Sequence, residues 1–234
     1  MREAVVGMDE RVSRAELLYE RAVFNGDAGP LAEADTELDA AEADLAVARG
    51  RLMHTRFLLR RDEDPAAASE DPGELGLFER AAGLYQELGD IRGEAEALFW
   101  VGCFHQVVRQ DNTAAVPVLE QSLKLASQAG DKAVQSEALR HLGIAAHGTG
   151  RLEAARQRLE ESTRLRREIG LLAGAAANMV GLAYIAAAQQ RGDDALALLD
   201  EAGAIAGAAQ ADRILGQVNE AREELSEQRT HRPA

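Results

Sequence analysis

The side chains best suited to chemistry in this chain are its one cysteine, Cys103, and five histidines, His54, His105, His141, His147 and His231. A metal site needs several such groups on one face. No two histidines stand four apart on a helical stretch, and Cys103 and His105 point to different sides of one. Glu137 and His141 are four apart and share a face, which is the ordinary spacing of a surface pair. A thiol nucleophile needs a base within reach. Cys103 and His147 each follow a glycine of one recurring helical pattern, so a Cys–His contact across a shared groove is the catalytic arrangement the spacing offers. Its competitor is a buried cysteine acting as a small apolar filler. Gly148-Thr149-Gly150 has no strand before it and is not a phosphate loop. Asp193-Asp194 reads as a helix start, where carboxylates meet free N–H groups. The sequence therefore assigns no catalytic residue, no metal ligand and no cofactor.

The elements that position these residues repeat. Ala115, Leu119, Ser122, Leu125 and Gly130 recur forty residues later as Ala155, Leu159, Ser162, Leu165 and Gly170. The next copy reads Ala195, Leu199, Ala202, Ile205 and Gln210, and an earlier partial copy reads Phe78, Ala81, Leu84 and Gly89. A second frame precedes the last three copies: Leu98-x-x-Val101-Gly102-x-x-His105, Leu139-x-x-Leu142-Gly143-x-x-Ala146 and Ala177-x-x-Val180-Gly181-x-x-Tyr184. Spacings of three and four put the apolar residues on one helical stripe. The internal glycine lets a second helix approach closely, and the closing glycine suits a left-handed C-terminal position. Turn residues separate the frames, and Pro117 is expected in the first turn of its helix, where a missing N–H costs least. No alternating β-branched run of strand length occurs, so the class is all-α.

These two frames resemble the tetratricopeptide repeat (TPR), with leucine or alanine at the position of its signature tryptophan. The period near forty resembles the long repeats of kinesin light chains and of large bacterial transcription regulators. The resemblance implies a right-handed α-solenoid of antiparallel helix pairs, a TPR-like superhelix with an N-terminal helical hairpin and a C-terminal capping helix. On this reading residues 1–61 form the hairpin plus the first helix of an imperfect repeat, and 62–73 a polar loop. TPR-like repeats occupy 74–208, a capping helix 209–228 and a disordered tail 229–234. Leucine every seven residues over 31–48 is a coiled-coil-like seam and a route to a homodimer. Five arginines and no acid fall in 49–61, after a segment of 12 acidic and 4 basic residues, and read as a solvated helix pairing with the acidic hairpin.

Composition narrows the partners. The net charge of −14 argues against nucleic acid, which needs clustered Lys and Arg. A single cysteine precludes an internal disulfide framework and suits a reducing cytoplasm. The start of the chain carries no secretory pattern. Residues 171–188 are uncharged, but they are mainly Ala and Gly and enclose Asn178, so a buried helix is the better reading than a membrane span. Arginine in place of lysine, save Lys124 and Lys132, with abundant alanine suits a GC-rich bacterial genome.

The resemblance also implies a concave groove lined by the first helix of each pair. Aligned on the repeat glycine, the inward positions are Phe99, Cys103 and Gln106, then Arg140, Ile144 and His147, then Asn178, Leu182 and Ile185. Phe57 and Arg60 extend the row. A lining of apolar contacts with a few donors suits a protein or peptide segment, with Arg140 and Asn178 as polar anchors. The alternative is a small-molecule binding protein, or an enzyme built on the same scaffold around Cys103 and His147.

Overall fold

A computed structural model describes residues 9–66 and 68–230 of the chain. Among the described residues every regular element is an α-helix. The chain divides into two compact units, Met1–Gln110 and Asp111–Ala234. The first holds α1 (Glu10–Asn25), α2 (Leu31–Glu63), α3 (Pro72–Leu88) and α4 (Ile91–Val107). The second holds α5 (Asn112–Ala129), α6 (Lys132–Gly148), α7 (Leu152–Glu168), α8 (Leu172–Ala188), α9 (Gly192–Ala208) and α10 (Asp212–Thr230). Within each unit every helix packs on the next. The connections are short, so successive helices run antiparallel.

Local chemistry sets the helix ends. The carboxylates of Asp9, Asp71, Asp90, Asp111 and Asp131 accept hydrogen bonds from first-turn amides of α1, α3, α4, α5 and α6. At the other end Gly89, Gly130 and Gly170 take positive φ, as the repeat frame requires, and Gln210 takes the same turn with φ 52° where the glycine is lost. The internal glycine also behaves as expected. A Cβ on Gly143 would lie 3.0 Å from Leu159 Cγ, and one on Gly181 would lie 3.1 Å from Leu159 Cδ1.

Three sequence readings need correction. The acidic and basic segments are not separate partners, because 31–63 is one helix of 33 residues. Arginine and alanine propagate a helix well, and nothing stops it before Asp64-Pro65. Its arginines reach other groups: Arg51 meets Glu96 at 3.4 Å and covers the Trp100 ring, and Arg61 lies over Phe57. Pro117 is the sixth residue of α5, past the first turn, so the Thr113 carbonyl loses its helical donor. The loop expected at 62–73 is shorter, because α2 and α3 take its ends. It is tied down by Glu70, which pairs with Arg109 at 2.6 Å, and by the Asp71 cap.

In the second unit α10 packs on α8 and α9 and buries Val218, Ala221 and Leu225 against Met179, Ala183 and Leu199. It covers the end of the stack, as a cap must. The uncharged run is α8, which buries Ala175, Asn178, Leu182 and Ile185 among its neighbours. No helix of the described residues is long and apolar enough to cross a membrane. Residues 1–8 at the start of the chain, and 231–234 of the expected tail with His231, lie outside the described residues.

Candidate functional site

In the second unit the expected groove residues divide by helix. On α6, Ile144 and His147 are exposed and Arg140 is half-buried, so the three form one open face. On α8 the aligned Asn178, Leu182 and Ile185 are all buried. The reason is the setting of α8, which packs against α7, α9 and α10 and also touches α6. A helix enclosed on so many sides buries positions that its counterpart exposes.

Beneath the α6 face lies a polar network. Arg140 Nη1 donates to Asn178 Oδ1 at 2.8 Å, and Asn178 Nδ2 donates to Ser162 Oγ at 2.8 Å. Ser162 Oγ in turn donates to the Ser136 carbonyl at 2.6 Å. Arg166 enters from α7, pairing with Glu137 at 2.6 Å and donating to the Gly174 carbonyl at 2.8 Å. Burial pulls the Arg166 guanidinium below its ordinary range, and Glu137 pulls in the opposite direction. Asn178 is thus a supporting group, and Arg140 is the member of the pair that reaches the surface. Its guanidinium is held in place before any ligand arrives.

Leu182 has a second role. With Met179 and Leu198 it floors a cleft of about 340 Å³ between α7, α8 and α9, whose rim carries Glu160, Arg164, Arg167 and Glu201. Arg167 and Glu201 are paired across it at 2.5 Å. Ile185 belongs to the apolar cluster of Ala146, Ala155 and Leu159.

The first unit holds a different constellation. Phe57, Phe99, Cys103 and Gln106 are buried, and of the expected positions there only Arg60 is exposed. Cys103 has a histidine partner, but it is His54, whose Nε2 lies 3.6 Å from Sγ. The other ring nitrogen, Nδ1, lies 2.7 Å from Glu74 Oε1. With the ring proton on Nδ1, His54 donates to the carboxylate and turns its Nε2 lone pair to the thiol. Thiol, imidazole and carboxylate stand in the order of a nucleophile, a base and an orienting acid. All three are buried, Glu74 at 0% exposure, so the chain joins α2, α3 and α4 from inside. Trp100 closes it, edge-on to His54 at 5.6 Å and stacked on Phe78. Among the described residues Glu74 Oε2 has no hydrogen-bond partner, which makes this carboxylate costly to bury.

Sequence reasoning missed this chain although two signals were present. His54 sits on the stripe Ala43, Val47, Gly50, Phe57 of α2, and Glu74 lies one turn before Phe78 on the buried stripe of α3. A polar group on an apolar stripe must find a partner inside. Among the described residues no group of three or more His, Cys, Asp or Glu side chains is arranged to hold a metal ion.

Comparison with known proteins follows the same architecture. The family model for the tetratricopeptide repeat matches residues 93–168, from α4 to the end of α7. No curated protein matches the chain. Among solved structures it is similar to BtubC (BKLC) from P. vanneervenii, at 17% identity over 86% of this chain and 90% of that one, with a TM-score of 0.44. It is also similar to a putative kinesin light chain with nearly identical TPR-like repeats from Podosopora anserina, at 18% identity over 80% of this chain and 99% of that one, with a TM-score of 0.45. Repeats of this kind generally serve as protein-interaction scaffolds. The repeat frames, the left-handed helix ends and the family match thus agree over residues 93–168, where the chain carries tetratricopeptide-like helix pairs within its all-helical array.

Proposed function

We propose that the chain is an interaction module that takes an extended protein segment on the α6 face of its second unit. The observation that carries this reading is Ile144, 40% exposed, between a half-buried Arg140 fixed by Asn178 and an exposed His147. An exposed apolar side chain flanked by one preset cation and one donor suits a short motif with an apolar residue beside an acidic one. Asn178, Leu182 and Ile185 support that face from below and do not touch the segment.

The test is selection of peptides from a displayed library on the intact chain, followed by calorimetric titration of the best binders. Ile144→Asp and Arg140→Glu are each expected to weaken binding by at least about tenfold. The far-ultraviolet circular dichroism should remain that of the parent. Selected peptides that bind both variants as well as the parent would place the interaction elsewhere and end this reading.

A further inference from the structure

Along α2 the residues Leu31, Leu38, Leu45, Leu52 and Leu59 stand seven apart, and all five are exposed, Leu52 at 60%. Five exposed leucines in one row are far more than a solvated helix face needs. We propose that this row is the interface of a two-fold symmetric dimer of the chain, with α2 antiparallel to the α2 of its partner.

Three observations select a second copy as the occupant. The first is charge order. Four residues after each of the first four leucines come Asp35, Glu42, Arg49 and Arg56, two acids followed by two bases. A parallel copy would set acid against acid and base against base. An antiparallel copy turned about an axis near Leu45 sets Asp35 against the partner's Arg56 and Glu42 against the partner's Arg49, and each pair occurs twice by symmetry. Asp35, Arg49 and Arg56 form no ion pair among the described residues, so they remain available. Glu42 is already bonded to Arg80 at 2.8 Å and would be shared.

The second is the leucine register. The same rotation brings Leu45 to its own copy, Leu38 to the partner's Leu52 and Leu31 to the partner's Leu59. Charges and leucines thus agree on one register to within a single residue, a shift that the long arginine side chains span.

The third is shape. α1 packs beside the first half of α2, with Arg11 Nη1 donating to Asp44 Oδ2 at 2.6 Å. Between the two helices runs a groove of about 290 Å³, lined by Val12, Tyr19, Leu31 and Leu38 with Glu16 and Asp35 on its rim. The second half of α2 packs on α3 and α4 through Gly50 and His54, and among the described residues its Leu52 and Leu59 stay exposed and project as knobs. One chain therefore carries both the groove and the side chains that fill it, at positions the two-fold axis exchanges. The arriving Arg56 of the partner also meets the acidic rim.

The interface is separate from the α6 face and stands or falls without it. Sedimentation equilibrium of the full chain from about 1 to 100 μM is expected to give twice the 25.1 kDa chain mass at the upper end. Two surface variants test the charge order. Arg49→Glu with Arg56→Glu, and separately Asp35→Arg with Glu42→Arg, should each weaken self-association by at least about tenfold. Mixed in equal amounts they should associate with each other, because every pair across the axis is then opposite in sign. Leu45→Lys places two cations at the axis and should also give a monomer. A wild-type chain that stays monomeric across the range overturns the proposal. So do charge variants that self-associate like the wild type, or a mixture that fails to pair.

Discussion

The two units fill their interiors with different material. Every aromatic residue but Tyr184 lies before residue 111, and the first unit packs Phe57 and Trp100 against the imidazole of a sealed imidazole–carboxylate pair, with Phe78 and Phe99 against Trp100. The second unit packs alanine, leucine and methionine, and its buried ionisable group is a guanidinium, Arg166, that reaches the surface through Glu137. Rings are rigid and large, so the aromatic unit fixes geometry but tolerates little change. Small aliphatic residues allow close helix approach, and the alanine-rich unit repeats one spacing of such residues every forty positions. The lesson is that one helix-pair architecture accepts either core, provided that each buried polar group finds a partner.

The largest expected effect breaks the sealed pair. His54→Leu leaves Glu74 buried without any hydrogen-bond donor from the imidazole, and its other oxygen already lacks a hydrogen-bond partner among the described residues. The expected cost is about 3 kcal/mol or more. The double variant His54→Leu, Glu74→Leu should recover most of it, because no buried polar group is then orphaned. Arg166→Met in the second unit should cost less, about 1–2 kcal/mol. Its partner Glu137 is 37% exposed and recovers water when the guanidinium is removed. Urea denaturation followed by the fluorescence of Trp100, the only tryptophan, reads the first unit, and circular dichroism reads the whole chain. Equal losses for His54→Leu and Arg166→Met would show that sealing does not distinguish the two sites.

A smaller effect sharpens the contrast between ring and aliphatic packing. Gly50 of α2 faces the ring of Phe78, and an added Cβ would fall inside contact distance of three ring atoms. Phe78 is fully buried and stacked on Trp100, so the ring has nowhere to go. Gly50→Ala should cost about 2 kcal/mol. Gly143→Ala in the second unit meets the branch of Leu159 at 3.0 Å, which a small shift of that side chain relieves. There the gain in helix propensity, about 1 kcal/mol, offsets most of the strain. Thermal unfolding of the two variants reads the difference, and a Gly143→Ala loss as large as that of Gly50→Ala would remove the distinction.

The same contrast explains what was legible beforehand. The repeat frames lie mostly in the aliphatic unit, where identical spacings recur forty residues apart, so helix ends and closing turns could be read directly. The groove was less legible. Alignment on the repeat glycine places Asn178 where Arg140 stands, but whether such a position is open depends on how many helices surround it, and α8 has more neighbours than the frame alone reveals. In the aromatic unit no repeat links His54, Glu74 and Cys103, which are 20 and 49 residues apart. Only the apolar stripes on which they sit mark them. The leucine row was read as far as residue 48, because the change from acid to base suggested a boundary that the helix does not have.

The smallest effect compares two hydrogen-bonded phenols, the half-buried Tyr184 and the buried Tyr85. Tyr184 donates to Glu224 Oε2 at 2.8 Å and links α8 to α10, and burial followed by that carboxylate pushes its pKa up to about 12. Tyr85 donates to Asp44 Oδ1 at 2.6 Å and links α3 to α2, and deeper burial with the same kind of partner pushes it beyond the ordinary range. A raised folded-state pKa means that the fold holds the phenol proton more tightly than the unfolded chain does. The stabilisation is therefore complete below the unfolded value of 10.0 and is lost as pH rises through the folded one. The α8–α10 contact should weaken between pH 10.0 and about 12, before the α2–α3 contact does. An alkaline titration of tyrosinate absorbance should resolve Tyr184 ahead of Tyr85. Glu224→Gln should move Tyr184 back toward its usual value and leave Tyr85 in place. If Tyr85 ionises first, the aromatic unit is the looser of the two, and the contrast between the cores is reversed.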